Sequence, residues 1–142
     1  MRPIRAGDLG VRYDSSMAET ITLFSNLGPQ FTLGPETIRR LDNGVEEVLA
    51  FDNIVRVRAM TLGGGGVVEL TAGDGRKMLV VSSRETGRGS PRLKEPARGD
   101  YRNFAAELHR RLAACGHPIQ FVGGMIFKKP YDPLAIPDKL LP

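Results

Sequence analysis

The chain has 142 residues, 41% hydrophobic and 25% charged, with a net charge of +4 and a pI near 9.6. That is ordinary for a soluble globular protein and sufficient for one domain with its own core. The single cysteine, Cys115, excludes an intramolecular disulfide and a cysteine-rich metal site, and no apolar run approaches the roughly 20 residues of a membrane-spanning helix.

Met1 to Ala18 mixes Arg, Gly, Asp and Ser without a period, which reads as an irregular lead-in with a short extended piece near Val11 to Tyr13. Met1 to Ser16 lacks the apolar centre of a secretory signal, so a cytoplasmic location is expected. Glu19 to Phe24 and Gln30 to Leu33 are strand-like on either side of a turn at Ser25 to Pro29. Gly34-Pro35 then breaks the chain. From Thr37 to Ser83, short apolar or alternating runs are cut by turn residues, giving strands near 37–42, 45–50, 54–61, 66–72 and 77–83. Asn43-Gly44 is the strongest of these turns, because both central residues of a type I′ turn need a positive φ. Asp52-Asn53 and Asp74-Gly75 mark two more. The run Val55 to Ala59 alternates, which places Val55, Val57 and Ala59 on a buried face and Arg56 and Arg58 on a wet one.

Arg84 to Gly99 carries four arginines, one lysine and two prolines, the composition of an exposed mobile loop. Asp100 is placed to cap a helix of about 15 residues. Its apolar stripe is Tyr101, Phe104, Ala105, Leu108, Leu112 and Cys115, at spacings of three and four. Glu107 and Arg111 stand four apart in the favourable order. Gly116 is the left-handed stop, and Pro118 prevents continuation. Ile119 to Val122 could add a short strand. Beyond it, Pro130, Pro133, Pro137 and Pro142 imply an extended tail. The tail's Ile126, Phe127, Leu134, Ile136, Leu140 and Leu141 imply that it lies on something: its own sheet, a partner subunit or a hydrophobic surface elsewhere.

Seven short antiparallel strands and one closing amphipathic helix resemble the pleckstrin-homology-like (PH-like) superfold, and more closely its small bacterial members. The residues that carry the likeness are Ile38 to Gly44, Val48 to Ile54, Gly64 to Leu70 and Lys77 to Val81, completed by the helix from Tyr101 to Cys115. The resemblance implies a mainly β fold, a strongly bent seven-stranded antiparallel sheet or partly open barrel closed by one helix. It covers roughly residues 19–116, with 84–99 as a basic insertion, 1–18 as the lead-in and 117–142 as the proline-rich tail. Phosphoinositide-binding members of the wider family carry basic residues at the loop between the first two strands. Here that loop, Ser25 to Pro29, has no Lys or Arg, and the helix lacks the family's common tryptophan. Small bacterial relatives often assemble into oligomers, so contact with a protein partner or with itself is expected.

No residue pattern points to an enzyme, a cofactor or a metal. The Gly63 to Gly66 run leads into a strand rather than a helix, so it reads as a flexible hairpin and not as a phosphate loop. His109 and His117 are eight apart with one cysteine between them, a poor metal spacing, and Cys115 reads as a structural thiol. Aromatic residues make up only 6% of the chain, and Phe24, Phe51 and Phe104 fall at core positions, which argues against nucleic acid. Two surfaces remain. Arg76, Lys77, Arg84, Arg88, Arg92, Lys94 and Arg98 could gather anionic lipid headgroups at the inner face of the membrane. Arg56 and Arg58 offer a second possible partner face. Contact with a protein partner or self-assembly is the first expectation, and peripheral binding to an anionic membrane the alternative.

Overall fold

The structure is a computed structural model that describes residues 20–24, 29–62, 65–81, 91–126 and 128–141. The lead-in at 1–18 with its extended piece at Val11 to Tyr13, most of the turn at Ser25 to Pro29, Ser82 and Ser83, and Phe127 lie outside the described residues.

The described residues form a mainly β fold of two sheets and one long helix, and the sheets do not close into a barrel. The first sheet is a meander of β1 (Ile21–Phe24), β2 (Gln30–Leu33), β3 (Thr37–Asp42) and β4 (Val45–Ala50), in that order. Each connection is short enough for neighbours in sequence to pair. The β3–β4 turn is Asn43-Gly44, with φ of 53° and 77°, as the type I′ geometry requires. Phe51 to Asn53 then make one 3-10 turn, with Phe51 buried, and this turn carries the chain out of the first sheet.

The second sheet has the order β7-β6-β5-β8-β9, with β5 (Ile54–Leu62), β6 (Gly65–Ala72), β7 (Lys77–Val81), β8 (Gln120–Gly123) and β9 (Lys129–Pro130). The β8 strand runs parallel to β5, and β9 pairs antiparallel with β8. The expected strand at 119–122 therefore exists, and it ties the segment after the helix into the sheet.

Three sequence expectations are corrected here. The alternation from Val55 to Ala59 fails at its first residue. The register against β6 shifts between Ile54 and Arg56, which turns Val55 outward, while Ile54 and Val57 both face the core. Gly65 and Gly66 are buried strand residues of β6 and not part of a loose hairpin; only Gly63 and Gly64 lie outside the described residues. Finally, the helix α1 spans Pro91–Ala113, 23 residues, so Asp100 lies inside it and does not cap it. Proline is tolerated at a first helical position because its missing N–H has no partner there in any case. Arg92, Leu93, Lys94, Glu95, Ala97 and Arg98 are good helix formers, so the second half of the expected loop is helical.

The apolar stripe of α1 closes the space between the sheets. Tyr101, Phe104, Ala105, Leu108 and Leu112 are buried against Leu23, Phe31, Leu33, Ile38, Phe51, Val57 and Leu70, with Cys115 at the margin. Two close approaches explain two glycines. A Cβ on Gly66 would stand 2.4 Å from the Tyr101 ring, so the helix can dock on β6 only over a bare backbone. A Cβ on Gly123 would stand 2.6 Å from Leu140, so the tail can lie on β8 for the same reason.

Candidate functional site

The second half of α1 is where buried polar chemistry collects. Glu107 sits between Arg110 and Arg111 and bonds both, with Arg111 Nε at 2.7 Å. Burial pushes the Glu107 carboxyl up, but hydrogen bonds and charge from Arg110 and Arg111 outweigh it and hold the group below its ordinary value. Arg111 is only 1% exposed and also donates to the Gly34 carbonyl at 2.7 Å, which joins the helix to the loop between β2 and β3. On another side of the helix, two residues before Arg111, His109 is completely buried. Its Nδ1 lies 2.7 Å from the Ala105 carbonyl and its Nε2 lies 2.6 Å from the Tyr131 hydroxyl. A carbonyl can only accept, so Nδ1 carries the proton and Nε2 accepts from Tyr131. Burial pushes His109 down to about 4, partly opposed by the Ala105 carbonyl, so the ring is neutral at ordinary pH. Burial likewise raises the Tyr131 hydroxyl. Phe121 of β8 completes this cluster, its ring centroid 5.8 Å from His109 and 6.0 Å from Tyr131.

The His109–Tyr131 bond is one of several that strap the tail across the second sheet. Tyr131 donates its backbone N–H to Phe121, and the Thr61 hydroxyl donates to the Lys139 carbonyl at 2.9 Å. Arg102 reaches from the helix to the Leu141 carbonyl and to Asp138. A second 3-10 turn at Asp138–Leu140 lays Leu140 and Leu141 into buried positions. The surface under the tail is therefore this chain's own second sheet and helix.

The strap does not cover everything. Between it and the ends of β5 and β8 lies a groove of about 610 Å³. Gly123, Leu140 and Tyr131 line its inner side, and Met125 and Ile126 form a lip. Ile126 is 81% exposed and Met125 52%, so a good part of the apolar lip faces water. Lys129 and Lys139 also line the groove, and neither pairs with a carboxylate among the described residues.

The basic residues singled out from sequence do not converge into one described site. Arg76 lies in the β6–β7 turn and pairs with Asp74 at 3.0 Å, holding the Asp74 carboxyl below its ordinary value mainly through the Arg76 backbone N–H. Lys77 opens β7, and its Nζ is 3.9 Å from Glu69. Both line a smaller cleft of about 270 Å³ that Glu46 and Glu47 also line, so its charge is mixed. Arg84 and Arg88 lie outside the described residues. Arg92, Lys94 and Arg98 belong to the first turns of α1, and their side chains lie outside the described ones. Arg58 is spent internally, 3.8 Å from Glu69 across the β5–β6 pair and 3.5 Å from the Met60 sulfur. Arg56 is half-buried beside it, in register with Thr71 and Gln120.

Sequence reading missed the groove because its walls come from Thr61, 123–126, 129–131, Pro137, Lys139 and Leu140, joined only by long-range packing. A lysine and a large apolar residue close together in a proline-rich stretch, Lys129 and Ile126, were its local signals. Reading also missed the contact between Cys115 and His117, whose Sγ and Nδ1 are 3.3 Å apart. Among the described residues no group of His, Cys, Asp and Glu is arranged to hold a metal ion, and no helix is long and apolar enough to cross a membrane. Comparison of the chain with family models, curated proteins and solved structures finds no match.

Proposed function

We propose that this protein is a non-enzymatic binding module of PH-like architecture that works in the cytoplasm and holds an extended segment of a partner protein in the groove beside its tail. The four-stranded meander, the second sheet and the C-terminal helix packed against both support the PH-like reading. The observation that carries the function is the groove itself: apolar side chains line it, an apolar lip faces water, and in its wall stand two lysines that pair with no carboxylate among the described residues. Such a surface matches a segment that presents apolar side chains flanked by acidic ones, because burial of the apolar part drives affinity and the charges set register. The tail's Leu140 and Leu141 are already buried against this chain, so a second copy is not needed to cover them.

Selection of short random peptides displayed against the full chain tests this reading. The expected enrichment is for apolar residues flanked by Asp or Glu. Ile126→Asp combined with Lys129→Glu should weaken the selected peptides by about tenfold or more, the loss of one good anchor, at an unchanged melting temperature. Failure to enrich any peptide, or equal binding by the double variant, would sink it.

A further inference from the structure

The C-terminal end of α1 carries a second piece of chemistry, independent of the groove. Gly116 has φ of +92°, and this left-handed residue reverses the chain so that Cys115 and His117 face each other. His117 Nε2 lies 2.7 Å from the Ile54 carbonyl at the start of β5. Because that oxygen can only accept, Nε2 must carry the ring proton. In the neutral form that places the proton there, the ring turns its lone pair at Nδ1 toward the Cys115 Sγ, 3.3 Å away. The Asp52 carboxylate, on the 3-10 turn between the two sheets, stands 4.0 Å from the same Nδ1. A thiol, a base within reach of its proton and a third group that orients the base make up the arrangement that activates cysteine nucleophiles.

We propose that Cys115 is a covalent modification site, which His117 primes for attack on low-molecular-weight disulfides. The thiol proton passes to His117 Nδ1, giving an imidazolium that Ile54 and Asp52 are placed to hold. The thiolate then attacks one sulfur of the disulfide. One Sγ–S bond forms, the original S–S bond breaks, and the leaving thiolate takes up the proton from Nδ1. The product is a mixed disulfide at Cys115 and one free small thiol, with no other oxidant or reductant consumed. Cys115 is part-exposed at the edge of the core, which admits a small reagent to a thiol that also packs against apolar neighbours.

The chain has one cysteine, so every adduct reports on this site. The probe is dithiodipyridine, whose released pyridinethione is followed by absorbance, with intact mass confirming a single adduct. The native protein at neutral pH should react faster than the same chain unfolded in urea, although folding shields the sulfur. His117→Gln keeps a donor for the Ile54 carbonyl but offers no base, and should slow the native reaction by about tenfold or more. Asp52→Asn should slow it by a smaller factor. A native rate at or below the unfolded rate would overturn the proposal without recourse to any variant. So would a folded His117→Gln protein that reacts as fast as the unsubstituted one.

Discussion

The two sheets of this protein are built on opposite principles. In the first, every strand pairs with its neighbour in sequence, and the turns between them are set by local chemistry such as Asn43-Gly44. In the second, β5 accepts β6 on one side and, on the other, a parallel strand from beyond the helix. A parallel partner requires a crossover, here one that runs through β6, β7 and α1, and its closure depends on contacts between residues far apart in the chain. The second sheet depends on Gly66 under Tyr101, Gly123 under Leu140, and His109 against Tyr131. The groove belongs to the second sheet, between the tail and the ends of β5 and β8.

Both sheets share one element, the helix α1. Phe104 is buried, its ring centroid 6.5 Å from Phe31 of the first sheet. Phe104→Ala should cost about 4 kcal/mol, the usual loss for a buried aromatic, and urea unfolding should show one cooperative transition displaced as a whole. Two separate transitions would mean that the sheets are independent.

Acid should act next, through the second sheet. His109 is depressed from 6.5 to about 4, so the unfolded chain binds a proton that the folded one refuses. The stabilisation is fully present above about pH 6.5 and is lost as pH falls from there toward 4, by roughly 3 kcal/mol in all. Glu107, also depressed, adds to the loss below its ordinary 4.5. Melting temperature followed from neutral pH downward should fall across this window, and His109→Phe should flatten the upper part. An unchanged slope in that variant would remove His109 as the cause.

A smaller and more local effect is expected at the tail. Gly123→Ala places a methyl group against Leu140 and should cost about 2 kcal/mol, as overpacking does. Hydrogen exchange should accelerate in β8, β9 and the strap while β2 and β3 keep their protection. Uniform acceleration would show that the strap is not a separate unit.

The smallest effect falls in the first sheet. Asn43→Ala at φ of 53° should cost about 1 kcal/mol, and Asn43→Gly close to nothing. A larger loss for the glycine variant would assign Asn43 a side-chain role beyond its backbone.

Much of this molecule was legible before folding was considered. The strand runs at 37–42, 45–50 and 77–83, the last described to Val81, the positive-φ turns and the stripe from Tyr101 to Leu112 rest on steric preference and on periodicity over a few residues. Those are properties of the local chain, and tertiary structure had no reason to override them. The bulge that turned Val55 outward, the start of α1 at Pro91, the full burial of His109 and Arg111, and the parallel seat of β8 were decided only by packing. So were the groove and the Cys115–His117 contact. Each needs two segments tens of residues apart to meet, and no local pattern encodes which surface a half-apolar tail will cover or which polar group a buried arginine will find.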